Sequence, residues 1–105
     1  MANPSRGEVW LVDLGLAAKI RPCLVLSVPS VGPNDRVLVT LVGHTTSPRG
    51  SRFEVFATVP FLKTGAFDAQ NLVTVPYSKL LRKLGDLTTE QLALVEETVR
   101  RWLGL

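Results

Sequence analysis

The stretch HTTSPRGSR (44–52) gathers an imidazole at His44, hydroxyls at Thr45, Thr46 and Ser47, and guanidiniums at Arg49 and Arg52. It follows the apolar run VLVTLV (37–42), which reads as a buried strand, and gives way to alternation in FEVF (53–56). A guanidinium is permanently charged, planar and matched to phosphate oxygens. Hydroxyls donate to an anion but make poor bases on their own. No carboxylate pair suggests glycosidic chemistry, and no Gly-rich strand-to-helix loop suggests a nucleoside triphosphate site. Of common reactions, cleavage of an RNA phosphodiester fits these groups best. There the substrate's own 2′-hydroxyl is the nucleophile, so a protein need only orient it, move protons and stabilise extra negative charge. A base is still required, and His44 has the ordinary titration range for it. The same residues also make an ordinary polar hairpin end, and the pattern alone leaves that reading open.

A second group joins them once the elements are placed. The segments 22–28 (PCLVLSV) and 36–42 read as strands, and the turn-forming stretch 29–35 (PSVGPND) lies between them. If the two form a hairpin, opposed residue numbers sum to about 64, so Cys23 faces Leu41 and Arg21 lands near Gly43 or His44. A loop of this length leaves room for a slip of one or two residues. Arg21 precedes Pro22, which biases it to an extended backbone. The expectation is a guanidinium beside hydroxyls and an imidazole at one end of a sheet.

Further strands are expected over 7–14 (GEVWLVDL), about 52–58, and 71–75 (NLVTV), the last closed by Pro76. The first has apolar residues on both faces, as a doubly covered strand does. TTEQ (88–91) has capping-box form, and Leu92, Val95, Val99 and Trp102 follow at helical spacing, predicting a helix over 89–103. Residues 78–81 are expected to form a helical turn, and KLLRKLG (79–85) reads as a solvated amphipathic turn in preference to a basic RNA face. Several short strands and one terminal helix predict a mainly β fold: a small, strongly bent antiparallel sheet or barrel with a C-terminal helix.

The totals agree with one domain over 1–105. The chain has 105 residues, 46% of them hydrophobic and 20% charged, enough for one modest core. Domains this small are marginal alone, so a homodimer is expected. A net charge of +3 permits a polyanionic partner without demanding one. Cys23 has no second cysteine to pair with and reads as a small core hydrophobe. One His and one Cys do not make a zinc site of ordinary ligand type, so no metal or other cofactor is expected. Without a secretory apolar segment or a membrane-length run, the expected setting is reduced and cytoplasmic, with no membrane contact. Glu54 reads as structural, and Trp10 and Trp102 as core or dimer contacts.

The pieces RGEVWLVDL (6–14), RPCLVLS (21–27), TTSPRGSRFEV (45–55) and NLVTV…KLLRKLG resemble, in order and spacing, the MazF/PemK family of toxin endoribonucleases. That resemblance implies an SH3-like, CcdB-like barrel with a C-terminal helix, usually a homodimer. It implies metal-independent, sequence-selective cleavage of single-stranded RNA, leaving a 2′,3′-cyclic phosphate and a 5′-hydroxyl, with a cognate antitoxin as protein partner. It implies a catalytic pair that matches Arg21 and Thr45, positions the hairpin argument also reaches. His44, Thr46, Ser47, Arg49, Arg52, Gln70 and Asn71 are the expected RNA contacts.

This sequence departs from the family pattern in three places. The loop GLAAKI (15–20) is short and apolar, where relatives carry a longer one with Gly and Gln. QNLVT (70–74) puts Gln70 at the usual acidic position and Val73 at the usual Arg, with Asp68 two residues away from where an acid is expected. His44 stands where relatives tolerate small or apolar residues. Two rival functions follow: a non-enzymatic poison like the gyrase inhibitor CcdB, or a decayed member that only binds RNA or its antitoxin.

Overall fold

The computed structural model describes residues 2–17 and 19–105; Met1, and Ala18 in the short 15–20 connection, lie outside them. Six strands are followed by one helix: β1 (Glu8–Asp13), β2 (Ile20–Val25), β3 (Leu38–Thr45), β4 (Glu54–Phe56), β5 (Ala66–Pro76), β6 (Leu80–Asp86) and α1 (Thr89–Leu103). A 3₁₀ turn, Tyr77–Lys79, joins β5 to β6 one residue before the expected helical turn. All pairings are antiparallel and the order across the sheet is β4-β5-β3-β2-β1-β6. The fold is therefore the expected mainly β sheet with a terminal helix, but β4 and β6 are edges and the barrel does not close through hydrogen bonds.

Strand periodicity builds two apolar layers. Val9, Leu24, Val42, Phe67 and Ala69 face one side, where Val95 and Val99 of α1 cover them. Val12, Cys23, Val25, Val39 and Leu41 face the other, against Tyr77 and Leu80. Successive side chains alternate, so a strand covered on both faces reads as nearly continuous apolar sequence. The Cys23 thiol lies in the second layer, and burial pushes it up to about 12, so it is an inert core group.

Helix α1 begins as its sequence dictates. The Gln91 N–H donates to Thr88 Oγ1 at 3.1 Å and the Thr88 N–H to Gln91 Oε1 at 2.9 Å. It ends at Gly104, whose φ of 74° is the left-handed cap. Arg6 ties the chain's start to the helix through an ion pair with Glu96. No helix among the described residues is long and apolar enough to cross a membrane.

Two departures from the expected elements matter for the site. KLLRKLG is not a turn but the edge strand β6, paired with β1 across two register shifts. β5 is more than twice the expected length and contains a bulge. Val42 pairs with Leu72 but its neighbour Gly43 pairs with Asp68, so Ala69, Gln70 and Asn71 are looped out of the β3 ladder.

Candidate active site

The β2–β3 ladder pairs Val25 with Leu41, Leu24 with Val42 and Cys23 with Gly43. Opposed numbers sum to 66 rather than 64, a slip of two residues. A two-residue slip keeps every side chain on its face. Continued by two positions, this register brings Arg21 level with Thr45. Both belong to the face of Cys23 and Gly43, and both line the same two clefts.

Thr45 is held locally: its Oγ1 accepts the Ser47 N–H at 3.1 Å, which leaves its own O–H available to donate. Gln70 and Asn71, carried outward by the bulge, are exposed and line a cleft of about 670 Å³ with Arg21, Thr45, Arg49 and Asp68. Gly43 makes room for this arrangement, because a methyl there would overlap the Asn71 amide. Asp68 is half-buried beneath the bulge, with Oδ1 accepting the Gln70 N–H at 3.0 Å. The bulge gives β5 an irregular backbone path directly after Asp68.

The other carboxylate of this cleft is committed elsewhere. Glu54 accepts the Arg49 N–H at 2.8 Å and the Ser51 N–H at 2.7 Å. The Arg49 bond leads the causes that hold this carboxyl below its usual range. It closes the 49–51 turn and shapes the cleft wall.

His44 does not join the group. Alternation sends its ring to the opposite face from Thr45, where it is 4% exposed and packs edge-on to Phe67 with centroids 5.0 Å apart. Nε2 is buried without a hydrogen-bond partner. Desolvation lowers its pKa, so the imidazole is neutral at pH 7. The expected base and RNA contact is thus a buried ring that reaches the second cleft only as part of its floor. Arg52 is also placed apart, its guanidinium carbon 4.6 Å above the Phe53 ring and outside both clefts. Thr46 and Ser47 are exposed at the mouth of the second cleft, of about 560 Å³. Trp102 packs against Phe53 with tilted rings 5.3 Å apart and forms part of the first cleft's wall, while Trp10 donates its indole N–H to Glu8 at 3.0 Å.

The sequence reading missed Phe61 and Lys63 and ranked the run holding Arg82 as a solvated turn above a basic RNA face; all three residues line the second cleft. No local motif marks Phe61 or Lys63; the alternate spacing of Arg82 and Leu84 was the one available signal for a strand there. Among the described residues no three His, Cys, Asp or Glu side chains gather as metal ligands would.

Solved structures share this architecture. An endoribonuclease from a mycobacterial species is 27% identical, with a TM-score of 0.81 over 100% of this chain and 95% of that one. A mycobacterial endoribonuclease in complex with its cognate antitoxin is also 27% identical, with a TM-score of 0.80 over 100% of this chain and 97% of that one. The Mycobacterium tuberculosis toxin MazF-mt6 is 28% identical, with a TM-score of 0.79 over 93% of this chain and 97% of that one. The family described as PemK-like, MazF-like toxin of type II toxin–antitoxin system matches residues 5–103, nearly the whole chain, and the protein belongs to that family.

Proposed function

We propose that this protein is an endoribonuclease toxin that cuts single-stranded RNA at the centre formed by Arg21 and Thr45. The observation that carries the reading is their juxtaposition: a permanent cation and a threonine hydroxyl stand at one sheet end, and both line the same two clefts. Such a pair suits a phosphate that gains negative charge as a fifth oxygen approaches. In this reading the substrate's 2′-oxygen attacks the adjacent phosphorus while its proton passes to the Asp68 carboxylate. The P–O5′ bond breaks and the departing oxygen takes a proton from water, leaving a 2′,3′-cyclic phosphate and a 5′-hydroxyl. Arg21 offsets the charge of the transition state and Thr45 holds a phosphate oxygen. Asp68 takes the base role because His44 is buried and Glu54 is occupied by two N–H donors.

Gln70, Asn71 and Arg49 contact the RNA from the first cleft, and the two amides select the base. The reaction runs without bound metal. A cognate antitoxin neutralises the toxin by covering the Arg21–Thr45 centre, as the antitoxin complex of the mycobacterial relative supports. The working form is a homodimer, supported by the exposed apolar residues Val28, Val31 and Val37 around the β2–β3 connection. The test is incubation with single-stranded RNA in EDTA, with mapping of the cut ends, beside Arg21→Ala. Cyclic-phosphate ends from the wild type and a loss of about 10²–10³ in kcat for the variant are expected. Binding without any cleavage overturns the enzyme, and cleavage indifferent to Arg21→Ala overturns this site.

A further inference from the structure

The two clefts that meet at Arg21, Thr45 and Ser47 lie on opposite faces of the sheet end and differ in charge. The first holds Glu54 and Asp68 against Arg21 and Arg49, with two neutral amides. The second is lined by Lys19, Arg21, Lys63 and Arg82 and contains no carboxylate. Among the described residues neither Lys63 nor Arg82 has an ion-pair partner. Strand alternation separates Arg82 from its neighbour Lys83. Lys83 is held by Glu8 and Asp86, each at 3.1 Å, whereas Arg82 lines the cleft next to its β1 partner Leu11, with Pro22 of β2 on the far side of Leu11.

The wall opposite is fixed as well. Phe61 lies against the backbone of Gly85, where a side-chain carbon would come within 2.8 Å of the ring's Cζ. This contact pins the turn at 59–62, closed by the Leu62 N–H donating to the Val59 carbonyl at 3.3 Å, and with it the position of Lys63. A channel with an apolar wall, no acid, and Lys63 and Arg82 outside any ion pair suits the sugar–phosphate backbone of a flexible strand better than it suits a base edge.

We infer that the second cleft is a backbone track: Lys63 and Arg82 bind phosphates of the RNA strand on one side of the scissile phosphate, while the amide-lined cleft takes the base on the other. The inference rests on the RNA-cleaving reading above and adds to it a division of labour between the two faces. Arg21 and Thr45, which border both clefts, are where the strand crosses the sheet end.

The test is binding of a random-sequence single-stranded RNA pool with 2′-O-methyl sugars, which cannot be cut, at several salt concentrations. For single strands the slope of log K against log salt is about −0.7 per neutralised phosphate. Lys63→Ala/Arg82→Ala removes two contacts, so the slope falls in magnitude by about 1.4 and affinity at 0.1 M salt drops about 25-fold. Lys63→Arg/Arg82→Lys keeps the slope, which separates lost charge from disturbed folding. Lys79→Ala/Arg100→Ala, which removes the same net charge from outside both clefts, also keeps it. If the Lys63/Arg82 alanine pair leaves the slope unchanged, or the Lys79/Arg100 pair lowers it equally, the track is overturned while the catalytic reading stands. Failure of the wild type to bind RNA at all overturns the reading beneath both.

Discussion

Replacing His44 by leucine is expected to stabilise the protein and to spare RNA cleavage. The ring is 4% exposed, and its Nε2 has no partner. An unpaired buried polar group costs about 1–3 kcal/mol. Leucine removes that cost but forfeits the edge-on contact with Phe67, worth about 0.5–1.5 kcal/mol. The expected net gain is about 1 kcal/mol at pH 7.5, or about 4–8 °C in Tm for a domain of this size.

The pH dependence sharpens the test. Desolvation depresses the native His44 pKa, so between that value and the ordinary value of about 6.5 the unfolded chain binds a proton that the folded one refuses. Stability from this residue is therefore complete above the unfolded pKa and declines as pH falls below it, by at most about 1.4 kcal/mol per pH unit. The variant lacks this decline, so its advantage over wild type widens from pH 7.5 to pH 5. Urea unfolding at each pH reads the difference, and contributions common to both proteins cancel. A variant less stable than wild type, or a difference flat in pH, refutes the buried neutral ring. Loss of cleavage in a well-folded variant restores His44 as a chemical group.

Asp68→Asn is expected to lower kcat by about 10²–10⁴, the range for a missing general base. The defect persists on a substrate with a sulfur leaving atom at the 5′ position, which departs without protonation; rescue there, or activity within threefold of wild type, removes Asp68 from the 2′-oxygen. Gly43→Ala places a methyl on the exposed Asn71 amide, which must swing aside, so stability is expected to change by only about 0.5 kcal/mol in thermal unfolding. RNA affinity falls with the displaced amide, and adding Asn71→Ala lowers it no further, a non-additivity that two independent sites do not show.

Much of this was legible in the sequence, for identifiable reasons. The capping box and the spacing of Leu92, Val95 and Val99 place α1 to the residue, because a helix is specified by its own segment. The early strands were found from their apolar runs, with ends displaced by one to three residues. β6 was not, since an edge strand has one neighbour and its KLLRKLG sequence carries exposed cations on alternate sides. The first half of β5 was missed because Asp68 and Gln70 interrupt its apolar pattern, and they do so because this is where the strand bulges into the site. The Arg21–Thr45 pair was reached from hairpin geometry, yet the expected register put Arg21 opposite Gly43. His44 drew attention through its chemistry, which says nothing about the face it occupies.

Register is thus the step on which function turns, and the 29–35 loop is too long to set it. A slip of one residue would carry Arg21 to the face of His44 and bury a guanidinium beside Phe67, at a desolvation cost no imidazole could offset. Polar groups at the start of the loop prevent this. The Thr40 N–H donates to Ser27 Oγ at 2.9 Å, and the Leu26 and Ser27 N–H groups both donate to the Thr40 carbonyl, at 3.0 and 3.4 Å. Further along, the Ser30 hydroxyl donates to the Leu38 carbonyl at 3.1 Å and the Ser30 N–H to the Tyr77 oxygen at 2.9 Å. These bonds satisfy the backbone groups in the observed alignment. Ser27 and Ser30, at the loop end of the hairpin, therefore help to set the register that, continued past Cys23 and Gly43, brings Thr45 level with Arg21.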